Sequence, residues 1–157
     1  MIYAETFETR FGLISVAVNE DGAVVQVNFG TKIPQGSVHE PLKTRQAKRQ
    51  LQEWCDGERK EFDLTLAPDG TEFQKLVWDE IAKIPYSQTR TYGQIAAAVG
   101  NKDAARAVGA ASGANPIPLI VPCHRVIAAD GGLGGFAYGT GVKSRLLAFE
   151  SEQPSLF

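Results

Sequence analysis

The stretch Asn115-Pro116-Ile117-Pro118-Leu119-Ile120-Val121-Pro122-Cys123-His124-Arg125-Val126-Ile127 sets the reading of the whole chain. A run of branched apolar residues carries the backbone inward. It then delivers a thiol, an imidazole and a guanidinium at three consecutive positions. Pro122 has a fixed φ and no N–H to give, so these residues lie neither in mid-helix nor in a central strand. A turn of this kind can hold a cysteine at the floor of a pocket. Taken alone, Cys123-His124 leaves two readings open, because free cysteine is among the residues most often buried simply as a small hydrophobe. The flanking sequence decides between them.

Downstream, Val126–Ala129 reads as a short strand. Asp130-Gly131-Gly132-Leu133-Gly134-Gly135-Phe136-Ala137-Tyr138-Gly139 follows as a glycine-rich loop with two aromatics. Its spacing does not match a phosphate-binding G-x-G-x-x-G, which removes a nucleotide-cofactor reading. The loop suits a wall that comes close to a flat ligand. Gly141–Glu150 reads as a closing helix. A carboxylate near a helix C-terminus opposes the macrodipole, so Glu150 is expected to have a partner elsewhere.

Upstream, Tyr92–Val99, the turn Gly100-Asn101, and a helix from Lys102 or Asp103 to about Ser112 give the outline of a helix-turn-helix. The second helix carries Ala104, Ala105, Ala107, Gly109, Ala110 and Ala111, with Arg106 as its one long central side chain. A sequence-specific reader needs Asn, Gln or Arg at several groove-facing positions. A helix of small residues either packs against a protein core or approaches a groove without regard to base identity. Before this, Thr71–Ile84 is amphipathic, with Phe73, Leu76, Val77, Ile81 and Ile84 on one face, Thr71 as N-cap and Pro85 as its stop.

The first thirty residues read as strands around the Asp21-Gly22 turn. A loop over 30–39, a helix over Lys43–Cys55 ended by Gly57, and an extended piece Phe62–Leu66 follow. The break at Ala67-Pro68-Asp69-Gly70 is placed as the domain boundary.

At 157 residues, 43% hydrophobic and 22% charged, the composition is that of a globular protein. Cys55 and Cys123 lack disulfide-framework or C-x-x-C spacing, and His39 and His124 are the only histidines, so neither a structural zinc site nor any cofactor is expected. No signal peptide or membrane span is legible, so a cytoplasmic location with both thiols reduced is expected. The net charge of −2 hides an uneven distribution: from Lys83 to Arg125 five Lys/Arg face a single Asp103. A local basic face can bind phosphates while the whole chain stays acidic.

Together, Pro122-Cys123-His124-Arg125-Val126, Thr91-Tyr92-Gly93-Gln94-Ile95-Ala96, Ala105-Arg106-Ala107-Val108-Gly109 and Leu146-Leu147-Ala148-Phe149-Glu150 resemble the O6-alkylguanine-DNA alkyltransferases, also called methylated-DNA–protein-cysteine methyltransferases. The resemblance covers roughly 70–150 strongly and the first 68 residues loosely. It implies an α/β (α+β) protein with three parts: a small ribonuclease H-like N-terminal domain over 1–68, a mostly helical alkyltransferase domain with a helix-turn-helix over 69–151, and a tail over 152–157. It also implies a protein that acts once on double-stranded DNA, through the minor groove. The damaged guanine is flipped out and its O6-alkyl group moves onto a cysteine, with O4-alkylthymine as a further substrate.

Carried over residue by residue, the resemblance makes Cys123 the acceptor, His124 its base through a water, and Glu150 the group that orients His124. Tyr92 becomes a donor to the leaving guanine, and Asn115 the residue holding the cysteine turn against the helix-turn-helix. Arg106 fills the gap left by the flipped base. Asn101 and Arg125 join Tyr92 and Arg106 as DNA contacts. The carbonyls of Cys123 and Val126, with Phe136, Ala137 and Tyr138, form the pocket. Phe136 stands where many members have Tyr, and Tyr138 replaces a smaller residue found in some relatives, which puts tolerance of bulky adducts in doubt.

Outside that pattern, Gln153 to Phe157 resembles the Q-x-S-L-F peptide by which bacterial repair and replication proteins dock on the sliding clamp. Gln153, Leu156 and Phe157 would be its anchors. Three competing classes are a non-catalytic lesion-binding module of the same fold, a helix-turn-helix regulator and a Cys-His hydrolase. Cys123 argues against the first, and the reader-poor helix against the second. A hydrolase turns over, whereas alkyl transfer to a thiol leaves one thioether and stops.

Overall fold

A computed structural model describes residues 1–152. The clamp-like tail, Gln153 to Phe157, lies outside the described residues. The chain divides into two compact units, one ending at Asp69 and the other beginning at Gly70.

The N-terminal unit is an antiparallel sheet in the order β1 (Tyr3–Thr9), β2 (Gly12–Val18), β3 (Val24–Phe29), carrying helix α1 (Pro41–Cys55). β2 is central, and Ile14 to Val18 are buried on both faces, which explains their unbroken run of small and apolar side chains. The β2–β3 turn is held by Asn19, whose Oδ1 accepts from the backbone N–H of Asp21 and of Ala23. The Phe62–Leu66 piece pairs in parallel with β3 at Val24↔Leu66. Helix α1 begins two residues earlier than expected, because Pro41 at its first turn needs no N–H partner there. It buries Ala47, Leu51 and Trp54, and each large apolar side chain so buried contributes about 1.5–3 kcal/mol.

The C-terminal unit runs α2 (Glu72–Ala82), β4 (Arg90–Thr91), α3 (Tyr92–Ala98), α4 (Ala105–Gly113), a 3₁₀ turn (Cys123–Arg125), β5 (Val126–Ile127) and α5 (Thr140–Glu152). Thr71 caps α2 through a reciprocal capping box with Gln74. The buried face of α2 is Val77, Trp78 and Ile81, whereas Leu76, expected on that face, is 54% exposed. The Trp78 indole N–H donates to the Ala111 carbonyl at 2.8 Å and ties α2 to α4.

Three boundaries differ from expectation for local reasons. Asn101 caps a turn with its side chain on Asp103 N–H and its carbonyl on Ala104 N–H, which delays α4 to Ala105. The strand after the cysteine stops at Ile127, because Ala128 closes a turn with Gly131 and Gly132. Helix α5 continues to Glu152, so Glu150 lies within its last turn rather than at its end. Gly100 lies at φ +86 between α3 and α4, a left-handed conformation that glycine adopts without cost.

Candidate active site

Local sequence places Tyr92 and Cys123 side by side. The Thr91 hydroxyl accepts from Gln94 N–H at 3.1 Å, and the Gln94 side chain accepts from Thr91 N–H at 2.8 Å. This capping box starts α3 at Tyr92. Just before it, Arg90 and Thr91 pair in parallel with Val126 and Ile127. The two-residue ladder lays the start of α3 against the chain leaving the cysteine turn.

The approach to that turn is tightly built. Asn115 accepts from Ile117 N–H with Oδ1 and donates from Nδ2 to the Val121 carbonyl, both at 2.9 Å. Leu119 sits at φ +72 and is buried, a costly conformation for a branched residue that the surrounding core enforces. Cys123 then enters a 3₁₀ turn with its N–H on the Val121 carbonyl at 2.8 Å.

Cys123 faces a cavity of about 320 Å³ lined by Tyr92, Asn115, Gly135, Phe136, Ala137 and Tyr138, with the small residues Gly109, Ser112 and Gly113 of α4. Phe136 and Tyr138 meet edge to face, with centroids 5.7 Å apart. The Tyr92 hydroxyl donates to the Gly135 carbonyl at 3.4 Å. A Cβ at Gly134 would lie 2.7 Å from that hydroxyl, so glycine is what lets the loop close over Tyr92. A larger recess of about 470 Å³ in the N-terminal unit is lined by Asp21, Arg45, Arg49 and Asp63, with neither cysteine nor histidine in its wall.

Behind the cysteine lies a buried ionic group. His124 is fully buried, and its Nε2 meets Glu150 Oε2 at 2.6 Å. Glu150 also accepts from Arg125 Nε at 3.0 Å, from Arg125 Nη2 at 2.8 Å and from Ser87 N–H at 2.9 Å. These are the partners that its position in the helix called for. Burial alone raises the carboxyl's pKa, but the hydrogen bonds from His124 and Arg125 outweigh it and bring the value down to about 2. Glu150 is therefore an anion, and the nitrogen facing it, Nε2, carries the imidazole proton.

Burial dominates the other two groups. The Cys123 thiol is pushed up to about 11, although Asn115 and Lys143 act against the shift. His124 is pulled below its ordinary value by burial, with Glu150 opposing and Arg125 and Lys143 assisting. The resting pair is thus a neutral thiol beside a neutral imidazole. A thiol held this high is almost wholly protonated at neutral pH unless a base takes its proton.

Of the expected DNA contacts, Asn101 and Arg106 are exposed, on the α3–α4 turn and on α4. Tyr92 lies at the cavity. Arg125 is a correction: it is 6% exposed, with its donors on Glu150 and, at 2.7 Å, on the Ile84 carbonyl, so the guanidinium faces inward and is not presented to a phosphate. The basic surface between 83 and 125 loses that charge accordingly. Val126, expected in the pocket, is fully buried and is not among the residues lining the cavity; its carbonyl accepts from Lys143.

Lys143 was not legible as a site residue. It has no exposed surface, and its Nζ donates to the Val126 carbonyl at 2.5 Å and to the Gly135 carbonyl at 3.3 Å. It joins the cysteine turn to the glycine loop and places a cation near Cys123, 5.8 Å from the Tyr92 ring centroid. One signal was available: Lys143, Leu146 and Glu150 share one helical face at i, i+3, i+7, and a lysine on the face of a core leucine is out of place unless it has work there. Among the described residues no cluster of His, Cys, Asp or Glu could hold a metal ion. No helix among them is long and apolar enough to cross a membrane.

A helix-turn-helix of small residues beside a cavity with one buried thiol and a His-Glu pair defines a class: a DNA-binding protein built for group transfer to its own cysteine. Comparison with known proteins gives that class its family. The family described as 6-O-methylguanine DNA methyltransferase, DNA binding domain, matches residues 72–152. The methylated-DNA–protein-cysteine methyltransferase of Methanosarcina acetivorans is 49% identical over 95% of this chain and 98% of that protein. The constitutive one of Bacillus subtilis is 40% identical over 95% and 93%. Among solved structures, Mycobacterium tuberculosis OGT in complex with DNA superposes with a TM-score of 0.89 at 36% identity, covering 96% of this chain and 94% of that one. A single-residue variant of the M. tuberculosis O6-methylguanine methyltransferase gives 0.91 at 37% identity, covering 100% and 97%. The chain belongs to the methylated-DNA–protein-cysteine methyltransferase family.

Proposed function

We propose that this protein repairs alkylated DNA by moving the alkyl group of O6-alkylguanine irreversibly onto Cys123. The observation that carries the reading is a thiol at the floor of a base-sized cavity, with a neutral imidazole behind it whose far nitrogen is committed to Glu150. The Cys123 proton passes to His124 through a water. The sulfur then attacks the alkyl carbon, an S–C bond forms as the C–O6 bond breaks, and the electron pair leaves on guanine. The Tyr92 hydroxyl, kept protonated because burial and the neighbouring Cys123 raise its pKa, donates to the ring nitrogen of the departing base.

The Val126 carbonyl already accepts from Lys143, but a carbonyl oxygen has a second lone pair for the exocyclic amine of guanine. The backbone at Ala137, which lines the cavity, takes the role of partner to O6 in this reading. Phe136 and Tyr138 close the pocket over the alkyl group, so large adducts such as benzyl are disfavoured. Arg106 enters the stack vacated by the flipped base, and Asn101 contacts the backbone beside it. The small exposed residues of α4, Ala107 and Ala110, let the helix lie close to the minor groove whatever the sequence. O4-alkylthymine is a second substrate of the same pocket, and the cytoplasm is the expected place of action.

The test is intact mass after mixing with excess duplex containing O6-methylguanine. The expected result is one methyl-for-hydrogen exchange per chain, mapped to Cys123. Lesion-selective binding without any mass change would sink the transfer reading. The tail carries a separate part of the proposal, docking of Gln153, Leu156 and Phe157 on a bacterial sliding clamp. It is dropped if a peptide of residues 150–157 shows no binding to immobilised clamp at high micromolar concentration.

A further inference from the structure

Arg125 follows the reactive pair directly, and its donors are used inside the C-terminal unit. Nε donates to both oxygens of Glu150 at 3.0 Å, Nη2 to Oε2 at 2.8 Å, and Nη1 to the Ile84 carbonyl at 2.7 Å. Its Cζ stands 5.4 Å from the Tyr86 ring centroid, which adds a cation–π contact. Ser87, in the same turn as Tyr86, holds φ +68 and gives its N–H to Oε1. Three segments therefore converge on one carboxylate: the 3₁₀ turn, α5 and the turn after α2. The guanidinium fork fixes the plane of that carboxylate and balances its charge, as bidentate arginine does.

We infer that Arg125 is a positioning residue for the transfer: by closing both oxygens of Glu150 it holds His124 as a neutral imidazole protonated at Nε2, leaving Nδ1 to take the Cys123 proton. The inference rests on the proposed alkyl transfer for its purpose, but its structural half can be read from the imidazole alone.

The charged and titratable groups around the ring show why the arginine matters. Cys123 and Arg125 come from its own turn, Lys143 and Glu150 from α5, and Tyr86 from the turn after α2. Of these, Glu150 favours an imidazolium, while Arg125, Lys143 and burial disfavour it. Without Arg125 a buried, uncompensated carboxylate would face His124 at 2.6 Å. The pair would then settle as imidazolium and carboxylate, and the ring would already hold the proton it has to accept.

The test is a pH titration of the full chain followed by imidazole NMR. The chain has only two histidines, exposed His39 and buried His124, so His39→Gln assigns the two ring signals. In the wild type His124 is expected as the Nε2–H tautomer, titrating below the ordinary histidine range. In Arg125→Met its midpoint should rise by about one pH unit or more, and the acid limb of the single-turnover transfer rate should move with it. Arg125→Lys, which keeps the charge but not the fork, should rise less. A wild-type His124 that is Nδ1-protonated, or cationic at neutral pH, overturns the inference without any variant. So does an unchanged midpoint in whichever variant folds, because a purely structural arginine would slow transfer at every pH without moving the limb. Should the midpoint shift while no alkyl transfer is found in any protein, the inference about the imidazole stands and the proposed function fails.

Discussion

Each unit of the chain buries one cysteine, and the two surroundings differ in what lies within reach of sulfur. Cys55 ends α1 in the N-terminal unit, where burial pushes its thiol up to about 12 against a hydrogen bond to Thr9, with Asp56 and Arg10 acting in opposite directions. Cys123 is pushed up by burial as well, to about 11, so proton affinity alone does not separate the two. The difference is the neighbourhood. Cys123 opens on a cavity beside Tyr92 and is followed by an imidazole backed by an ion pair, with a buried lysine nearby. Cys55 also lines a recess, of about 230 Å³, but with Glu8, Thr9, Gln52 and Asp56 around it and neither an imidazole nor an aromatic wall.

The largest expected effect breaks this comparison outright. Cys123→Ala should abolish methyl uptake from O6-methylguanine duplex, and Cys55→Ala should leave one methyl per chain, both read by intact mass. Methylation of Cys55 in the first variant, or loss of uptake in the second, would show that neighbourhood does not decide.

The two units also hold their carboxylates differently. Glu150 is buried under Arg125, His124 and Ser87, and removing its charge leaves Arg125 unpaired. Glu150→Gln should therefore cost ~3–5 kcal/mol in denaturant unfolding. Glu5, on a partly exposed bridge to Lys48, should cost about 1 kcal/mol or less when changed to Gln. The sign of the pH dependence follows from the folded-state value of about 2 against an ordinary 4.5. The contribution is fully present above about pH 4.5 and is lost as pH falls through that value towards 2. Glu5 is lowered as well, because the hydrogen bonds from Lys48 and Thr44 outweigh burial, and it acts in the same direction. Melting followed from about pH 5 downward should fall less steeply in Glu150→Gln than in the wild type. Parallel curves would show that the buried pair is not what acid breaks.

The two lysines sharpen the same contrast. Lys143 has two carbonyl partners and no exposed surface, and Lys143→Met should slow transfer about tenfold or more, the scale of a lost charged hydrogen bond. Lys48→Met, in the other unit, should leave the single-turnover rate within about twofold, since its partner Glu5 is remote from Cys123 in sequence and role. Equal rates in both variants would remove Lys143 from the site. The smallest effect is expected at Ser87, whose φ of +68 strains any side chain. Ser87→Gly should raise stability by about 0.5–1 kcal/mol, and a fall would mean that the serine hydroxyl makes up for the strain.

Much of the site was legible in the chain because its parts are adjacent or lie on regular elements. Pro122 ends regular structure immediately before Cys123-His124, and Thr71 reads as the N-cap of α2, whereas the matching cap at Thr91 emerged only from the folded chain. The small residues of α4 left two uses open, packing against a core or lying close to a groove, and the chain alone does not choose between them. Glu150 was legible as a carboxylate in want of a partner, although nothing in its neighbours says which.

The sequence by itself determined the order of elements, the thiol–imidazole pair and the character of the recognition helix, since each depends on contacts within a few residues. Tertiary structure alone decided where the long charged side chains end. Arg125 could have reached outward to a phosphate, and Lys143 could have lain in solvent. Both turn inward because Ile84, Gly135, Val126 and Glu150, distant along the chain, present the oxygens that a buried cation must find. A lysine or arginine spans several ångströms of flexible stem, so sequence position fixes its root, and only the folded surroundings fix its charge.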